Sequence, residues 1–400
     1  MAERKVTQAI VLAGGAGTRL RPLTLDRPKP MVLVGGKPFL EHLIVMLREN
    51  GITDILLLLG YLPEKVKEYF GDGSAFGVRI QYSIGTPEDE TGTRLQNASP
   101  MLHDTFLLLY CDNYWPMNLQ KMLEFYYEKG VSGMITVYNN RDGGAEYGSK
   151  HNVRVEDDSF VSFYGPFSED PQLNAVDIGF FIMSKKSVLS LIPAGNFSFQ
   201  DIVLPKLIAR KELVGFRTDH PYYAITSPDR IPIIERFLTP RKIVFLDRDG
   251  TINKKMSPHE YIRRWEEFEF LPTVLKSFQV LTDAGYEIFI ITNQRGIARG
   301  LMTEDNLQDI HKKMVAEIEK CGGRVSGIYY CPHGNDDNCF CRKPKPGMLF
   351  AAARDHALNL TKSVFIGDSE NDRMAGEAAG CRMIMLNAGE ALQEVITPIL

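Results

Sequence analysis

The stretch Lys242–Thr251 (Lys-Ile-Val-Phe-Leu-Asp-Arg-Asp-Gly-Thr) constrains the fold of this chain more than any other. Ile243, Val244, Phe245 and Leu246 run without polar alternation. That is the pattern of a strand covered on both faces, and so of a parallel sheet flanked by helices. The run stops at two carboxylates one residue apart, Asp247 and Asp249, followed by the loop-former Gly250. Ligands of open α/β sheets bind beyond the carboxyl ends of the strands. Side chains two apart on an extended segment point the same way, so both acids can address one substrate group. Taken alone, this pattern is equally compatible with an acidic turn facing solvent.

Asp-Arg-Asp-Gly-Thr resembles the first motif of the haloacid dehalogenase superfamily of phosphotransferases, and three later strand ends agree with that resemblance. Tyr286–Ile291 reads as a buried strand ending in Thr292-Asn293-Gln294, with Thr292 at the family's hydroxyl position. Arg342-Lys343-Pro344 supplies the lysine, and Val364-Phe365-Ile366 runs into Gly367-Asp368-Ser369-Glu370-Asn371-Asp372, the acidic fourth motif. A phosphate monoester repels nucleophiles, so its charge must be neutralised and a covalent step supplied. The resemblance implies that Asp247 attacks phosphorus and that Asp249 protonates the leaving alkoxide and later activates water. It implies that Lys343 and Thr292 bind the phosphoryl oxygens. Magnesium is expected on Asp247, Asp368 and the backbone carbonyl of Asp249, with Asp372 orienting Lys343 or the metal shell. Asn293 is placed among the substrate contacts.

Of the six cysteines, Cys111, Cys321 and Cys381 are isolated and read as ordinary thiols. The other three cluster as Cys331-Pro-His333, then Cys339-Phe-Cys341. Two close ligand pairs joined by a short loop, giving a Cys₃His set, are expected to hold structural zinc. Arg342-Lys343 follows at once, so the metal would fix the loop presenting the catalytic lysine. The segments 245–253, 292–300, 328–333 and 345–348, together with the zinc loop, resemble the branch containing D-glycero-D-manno-heptose 1,7-bisphosphate 7-phosphatase and histidinol-phosphate phosphatase. They look closer to the heptose enzyme, while the short spacer from His333 to Cys339 is more like the histidinol enzyme. Arg342 and Arg299 are candidates to hold the distal groups of the substrate, a solvated surface role being equally compatible with Arg299.

In the first half, Gln8–Ala13 is a buried strand feeding Gly14-Gly15-Ala16-Gly17-Thr18-Arg19-Leu20-Arg21-Pro22. Glycines let backbone amides approach a phosphate chain closely, and an arginine can pair with its oxygens. With Arg27-Pro28-Lys29-Pro30-Met31, this string resembles the signature of the sugar-1-phosphate nucleotidylyltransferases, and the resemblance extends from about Gln8 to Glu235. It implies that Gly14, Gly15, Gly17 and Thr18 cradle phosphates and that Arg19 and Lys29 neutralise charge. It also implies that Asp112, after the strand Thr105–Tyr110, binds magnesium. A sugar 1-phosphate oxygen would attack the α-phosphorus of a nucleoside triphosphate, with no protein nucleophile. Helices are expected over Phe39–Glu49, Glu64–Tyr69, Asn118–Lys129 (Asn118 as N-cap, Gly130 as stop) and Asp229–Arg236, and strands over Asp54–Gly60 and Val176–Met183.

Three departures accompany that resemblance. Thr91-Gly92-Thr93-Arg94-Leu95 stands where the family has Leu-Gly-Thr-Ala-Gly at the nucleobase pocket. Tyr164-Gly165-Pro166 stands for Glu-Lys-Pro at the sugar phosphate, and Ala224-Ile225-Thr226 stands where an aspartate often gives a second metal ligand. Asp177 could substitute for that ligand.

Length favours more than one core, and a two-domain α/β architecture follows. We expect two doubly wound Rossmann-like domains, 1–237 with a nucleotidyltransferase fold and 241–400 with a haloacid dehalogenase-like fold and a zinc loop. The link at Phe237–Arg241 is short enough to suggest packed domains. A net charge of −4 gives no electrostatic case for nucleic acid or an anionic membrane. The start Met-Ala-Glu-Arg-Lys leads straight into a strand and no apolar run reaches spanning length, so neither a secretory leader nor a membrane span is expected and the compartment is read as cytoplasmic. A homo-oligomer is compatible with the sequence. The reading is a fused enzyme of nucleotide-activated heptose synthesis. It would remove the 7-phosphate of a heptose 1,7-bisphosphate, then join the heptose 1-phosphate to a nucleoside triphosphate, GTP by resemblance to the heptose 1-phosphate guanylyltransferases. The alternatives are a lone phosphatase activity with a nucleotidyltransferase-like binding module, or both activities on another phosphorylated sugar or polyol.

Overall fold

The computed structural model describes residues 6–141, 143, 148–257 and 260–400. Met1–Lys5, on which the expectation of no secretory leader rests, lie outside the described residues. The chain divides into two compact units, Met1–Leu238 and Thr239–Leu400. No helix among the described residues is long and apolar enough to cross a membrane.

The first unit is built on a seven-stranded sheet: β1 (Gln8–Ala13), β2 (Asp54–Leu59), β3 (Arg79–Ile84), β4 (Thr105–Tyr110), β5 (Gly133–Tyr138), β6 (Val176–Ser184) and β7 (Leu213–Thr218), in the order β7-β5-β6-β4-β1-β2-β3. β1 runs parallel to β2 and β4, with Val11 opposite Leu57 on one side and Leu109 on the other. β6 is antiparallel to β4 and β5. Every residue of β1 and β2 is buried, which is why both read as continuous apolar runs. Helix α1 is Phe39–Glu49 and α2 is Thr91–Asn97. Helix α3, Leu119–Lys129, starts on Asn118, whose side chain accepts the Lys121 amide at 3.0 Å, and ends on Gly130 at φ +63°. Helix α4 is Phe199–Ala209. The strand expected to reach Gly60 stops at Leu59, and the helix near Glu64–Tyr69 spans Pro63–Phe70. The helix expected over Asp229–Arg236 opens with a 3₁₀ turn, Pro228–Arg230, and is α-helical only over Ile231–Leu238 (α5).

The second unit holds five strands, β8 (Lys242–Leu246), β9 (Tyr286–Asn293), β10 (Gly327–Cys331), β11 (Val364–Gly367) and β12 (Arg382–Met385), ordered β10-β9-β8-β11-β12 and all parallel. Alternate residues of β8 enter different cores. Val244 and Leu246 pack with Ile288, Ile290, Phe278 and Met314 on one face. Ile243 and Phe245 pack with Phe289, Ile291, Phe365 and Met348 on the other. Thr292 and Asn293 close β9 and do not follow it, because the ladder to β10 continues as far as Asn293 opposite Cys331.

Candidate active sites

In the second unit the four signals converge at the carboxyl edge of the sheet, where the chain order reverses on either side of β8. Gly250 sits at φ +106°, and a Cβ there would strike the Asp368 carboxylate, so the turn needs glycine on both counts. Lys343, 5% exposed, places Nζ 2.5 Å from Asp247 Oδ1 and 2.5 Å from Asp372 Oδ1, and donates to the Ile291 carbonyl at 2.9 Å. Burial opposes its charge, but Asp247 and Asp372 outweigh burial and raise its pKa, so Lys343 stays an ammonium. Burial pushes the Asp247 carboxyl up, with Lys343 pulling the other way. Asn293, expected at the substrate, is bonded to the backbone of the lysine. Its amide donates to the Lys343 carbonyl at 3.0 Å and its oxygen accepts the Lys343 N–H at 3.1 Å.

Asp249 is turned into a nest of donors. Arg248 bonds both carboxylate oxygens, at 2.8 and 3.0 Å, Asn253 donates at 3.0 Å and Gln294 at 2.8 Å, and Thr292 lies at 3.5 Å. Burial acts to raise the Asp249 pKa, but Arg248 and these hydrogen bonds hold it below the usual carboxylate range. Arg248 is 1% exposed and its Nη1 meets Nε2 of His311 at 3.3 Å. His311 lies on α6 (Glu304–Lys320). Burial first, then Arg248, lower the His311 pKa to about 3, so the imidazole is neutral and can accept from the guanidinium. None of Arg248, Gln294, Asn253 and His311 had a role in the sequence reading. The spacing Leu307-His311-Met314-Ile318 puts His311 on the buried face of α6, and that signal would have found it.

Asp247, Asp368 and Asp372 each offer an oxygen within 4.8 Å of the others, a group able to hold a metal ion. Asp368 Oδ1 is buried without a hydrogen-bond partner, as an atom awaiting a cation would be. The donor set is all oxygen, which suits magnesium. Asp372 is bonded to Lys343, which fits an orienting role. The zinc-type group Cys331, His333, Cys339 and Cys341 also lies within 4.8 Å. Its Sγ atoms are 3.6 Å (Cys331 to Cys339) and 3.3 Å (Cys341 to Cys331) apart, and Nδ1 of His333 lies 3.3 Å from Cys341. Those spacings approach the separation of about 3.8 Å that ligands on a tetrahedral zinc show. Arg342 is tied to this loop through Asn335 Oδ1 at 3.1 Å. Arg299 is exposed and lies over the Tyr261 ring, 5.8 Å from its centroid.

In the first unit a cavity of about 960 Å³ is lined by Gly14, Gly15, Gly17, Thr18, Arg19, Lys29, Arg94 and Asp112, among others. Gly17 (φ +59°) starts the 3₁₀ turn Thr18–Leu20. A Cβ on Gly15 would meet nothing, whereas one on Gly14 would strike the Arg94 guanidinium. Lys29 Nζ lies 2.5 Å from Asp112 Oδ2. Ala224, in the place of the second metal carboxylate, is buried and paired with Asn113. Arg94 is a wall of the cavity. Its Nη1 donates to the Leu59 carbonyl at 2.8 Å and its Nη2 to the Thr86 carbonyl at 2.7 Å. Gly14 and Gly60 crowd against it with no Cβ in the way. Across the cavity Tyr164, standing for the family's glutamate, donates to Asp177 Oδ2 at 2.9 Å and accepts from Gln200 at 2.9 Å. Gly179 N–H bonds Asp177 Oδ1 at 2.8 Å.

Burial pushes the Asp177 pKa up to about 6, against the pull of Gly179 and Tyr164. Its neutral form therefore fits the native state best, and its contribution to stability is complete below the unfolded-state pKa and lost as pH rises through about 6. Asp177→Asn should be insensitive to that change. Relative to the parent chain, the variant should gain on the order of 2–3 kcal/mol between pH 4 and pH 7. Urea unfolding of the first unit at both pH values checks this. An unchanged difference between the two proteins would refute it.

The family described as nucleotidyl transferase matches residues 8–212, and the family described as polynucleotide kinase 3 phosphatase matches residues 242–383. The D-glycero-beta-D-manno-heptose-1,7-bisphosphate 7-phosphatase of Pseudomonas putida is 40% identical over 149 residues, which are 37% of this chain and 84% of that protein. The D-glycero-alpha-D-manno-heptose-1,7-bisphosphate 7-phosphatase of Photorhabdus laumondii is 36% identical over 161 residues, 38% of this chain and 86% of that protein. A structure described as a glucose-1-phosphate thymidylyltransferase from Bacillus anthracis covers 58% of this chain and 94% of its own, with 18% identity and a TM-score of 0.51. That last likeness is one of fold.

Proposed function

Because the chain belongs to the nucleotidyl transferase family over residues 8–212 and to the family of the heptose bisphosphate 7-phosphatases over its second unit, we propose that it is a bifunctional enzyme of nucleotide-activated heptose synthesis. We assign phosphatase chemistry to 241–400 and nucleotidyl transfer to 1–237. The observation that carries the reading is the convergence of Asp247, Lys343 and Asp368 beyond the carboxyl end of β8.

In this reading the Asp247 carboxylate attacks phosphorus in line and forms an aspartyl-phosphate as the sugar alkoxide leaves. Asp249, which has first to be protonated against the pull of Arg248 and Gln294, gives that alkoxide the proton and regains one from the water that releases phosphate. Lys343 and Thr292 hold the phosphoryl oxygens. Magnesium held by Asp247, Asp368 and the Asp249 carbonyl would neutralise phosphoryl charge. The Cys₃His group holds zinc as a brace for the Lys343 loop. In the first unit Gly15, Gly17, Thr18, Arg19 and Lys29 bind the triphosphate, and the sugar 1-phosphate displaces pyrophosphate from the α-phosphorus. Asp112 is a single carboxylate anchor. This is compatible with magnesium, which leans on substrate phosphates more than on protein cages. We read the compartment as a reducing cytoplasm, where Cys331, Cys339 and Cys341 stay available as zinc ligands.

The test offers the purified protein both anomers of heptose 1,7-bisphosphate, since the two relatives are named for opposite anomers. It then offers heptose 1-phosphate with magnesium and each nucleoside triphosphate in turn. Phosphate release from one anomer and pyrophosphate release with GTP are expected. Absence of pyrophosphate with every nucleotide, in a sample that still liberates phosphate, would reduce the first unit to a binding module.

A further inference from the structure

We propose that Lys255 reads a second anionic group on the phosphatase substrate, and that before metal and substrate arrive its ammonium stands in for the divalent cation beside Asp368. The inference rests on the phosphatase reading and adds a specificity residue to it.

Two lysines serve the carboxylates of this site, and they are built differently. Lys343 is 4% exposed in its side chain and fixed between Asp247 and Asp372. Lys255 is 55% exposed in its side chain and donates to Asp368 Oδ2 at 2.7 Å. Lys343 leaves Asp368 to Lys255, and the other Asp368 oxygen is buried with no partner. A divalent cation taken up by Asp368 would be repelled by an ammonium this close. A tether with half its length in solvent can yield where Lys343 cannot.

Where the freed ammonium would go follows from its anchor. Two residues before it, Asn253 is fully buried and donates to Asp249 Oδ1 and to the Lys254 carbonyl, each at 3.0 Å. Asp249 is the group assigned to the leaving alkoxide. The backbone of Lys255 is thus pinned on the side of the site where the rest of the substrate must lie. A lysine there is a point charge suited to a phosphate or carboxylate carried by the leaving group. The ligand class is therefore a phosphate monoester bearing a second anionic group.

The test compares the full-length protein with Lys255→Met and Lys255→Arg. Titration calorimetry with magnesium alone should show several-fold tighter binding in the Met variant, because a competing cation has gone. Turnover should show a kcat/KM for a sugar bisphosphate lowered roughly 10- to 100-fold, mainly through KM, with little change for p-nitrophenyl phosphate, which lacks a second anion. Lys255→Arg should restore most of the bisphosphate preference. Weaker magnesium binding in the Met variant would overturn the proposal, because Lys255 would then be orienting Asp368. So would an equal loss on both substrates. A parent chain that turns over no phosphate monoester at all would defeat the phosphatase reading instead, and the magnesium titration would still decide the stand-in role.

Discussion

Asp247→Asn is expected to abolish phosphate release, with a loss on the order of 10⁴-fold or more, because the variant amide cannot attack phosphorus. The fold should survive. Asparagine has nearly the same volume, and Lys343 keeps its contacts to Asp372 at 2.5 Å and to the Ile291 carbonyl at 2.9 Å. Burial already disfavours the charged form of Asp247, so removing that charge also removes a desolvation cost. The midpoint of thermal unfolding should therefore hold or rise, as is common when a functional group is deleted from a strained site. The measurement is phosphate release alongside circular dichroism on one preparation. Turnover that persists in a folded variant would remove Asp247 from the chemistry, and a collapsed fold would leave the pairing around Lys343 misread.

The other large effect concerns the Cys₃His group. Cys339→Ser removes one of four donors whose atoms lie within 4.8 Å of one another. Metal binding to such a loop contributes directly to folding. The expected result is loss of stoichiometric zinc by elemental analysis. A destabilisation of about 3–4 kcal/mol should accompany it, which for a unit of this size lowers the thermal midpoint by roughly 10 °C. Phosphatase turnover should fall as well, since Lys343 follows Cys341 by two residues and its backbone is held beside this loop by the Asn293 amide. Zinc content equal to that of the parent chain would exclude the site.

What the sequence disclosed, and what it withheld, follows from how each element is solvated. β1, β2 and β8 declare themselves because both faces are covered, so that after one polar residue at the start of each the run is apolar throughout. β3 and β12 lie at sheet edges and mix exposed with half-buried positions. Neither the period nor the composition of such strands separates them from loops. The acidic cluster of the second unit was legible as far as Asp247, Asp249, Thr292 and Asp368, which the chain carries at the ends of buried strands in a fixed order, and Lys343, which sits beside them. Its supporting groups were not. Arg248 lay inside the quoted motif, but an arginine 1% exposed contradicts what a charged residue ordinarily does, and only the fold shows Asp249 and His311 waiting on either side of it. Asn293 is a related case. A polar residue beside Thr292 invites a substrate role, and the sequence gives no sign of its backbone partners fifty positions away.

Arg94 illustrates a different kind of dependence. Measured against the family pattern it is a large charged side chain in the place of an alanine, and it reads as damage. In the fold it is entrenched. Its guanidinium bonds the Leu59 and Thr86 carbonyls, and it occupies a volume that Gly14 and Gly60 keep clear. Alanine at this one position would leave a void beside the Leu59 and Thr86 carbonyls, which would keep only their backbone donors, the Gly85 and Asp89 N–H groups. Reversion is therefore not a single step for this domain. The arginine and its glycines form one epistatic unit, and any re-engineering of the nucleotide end of the cavity has to exchange them together.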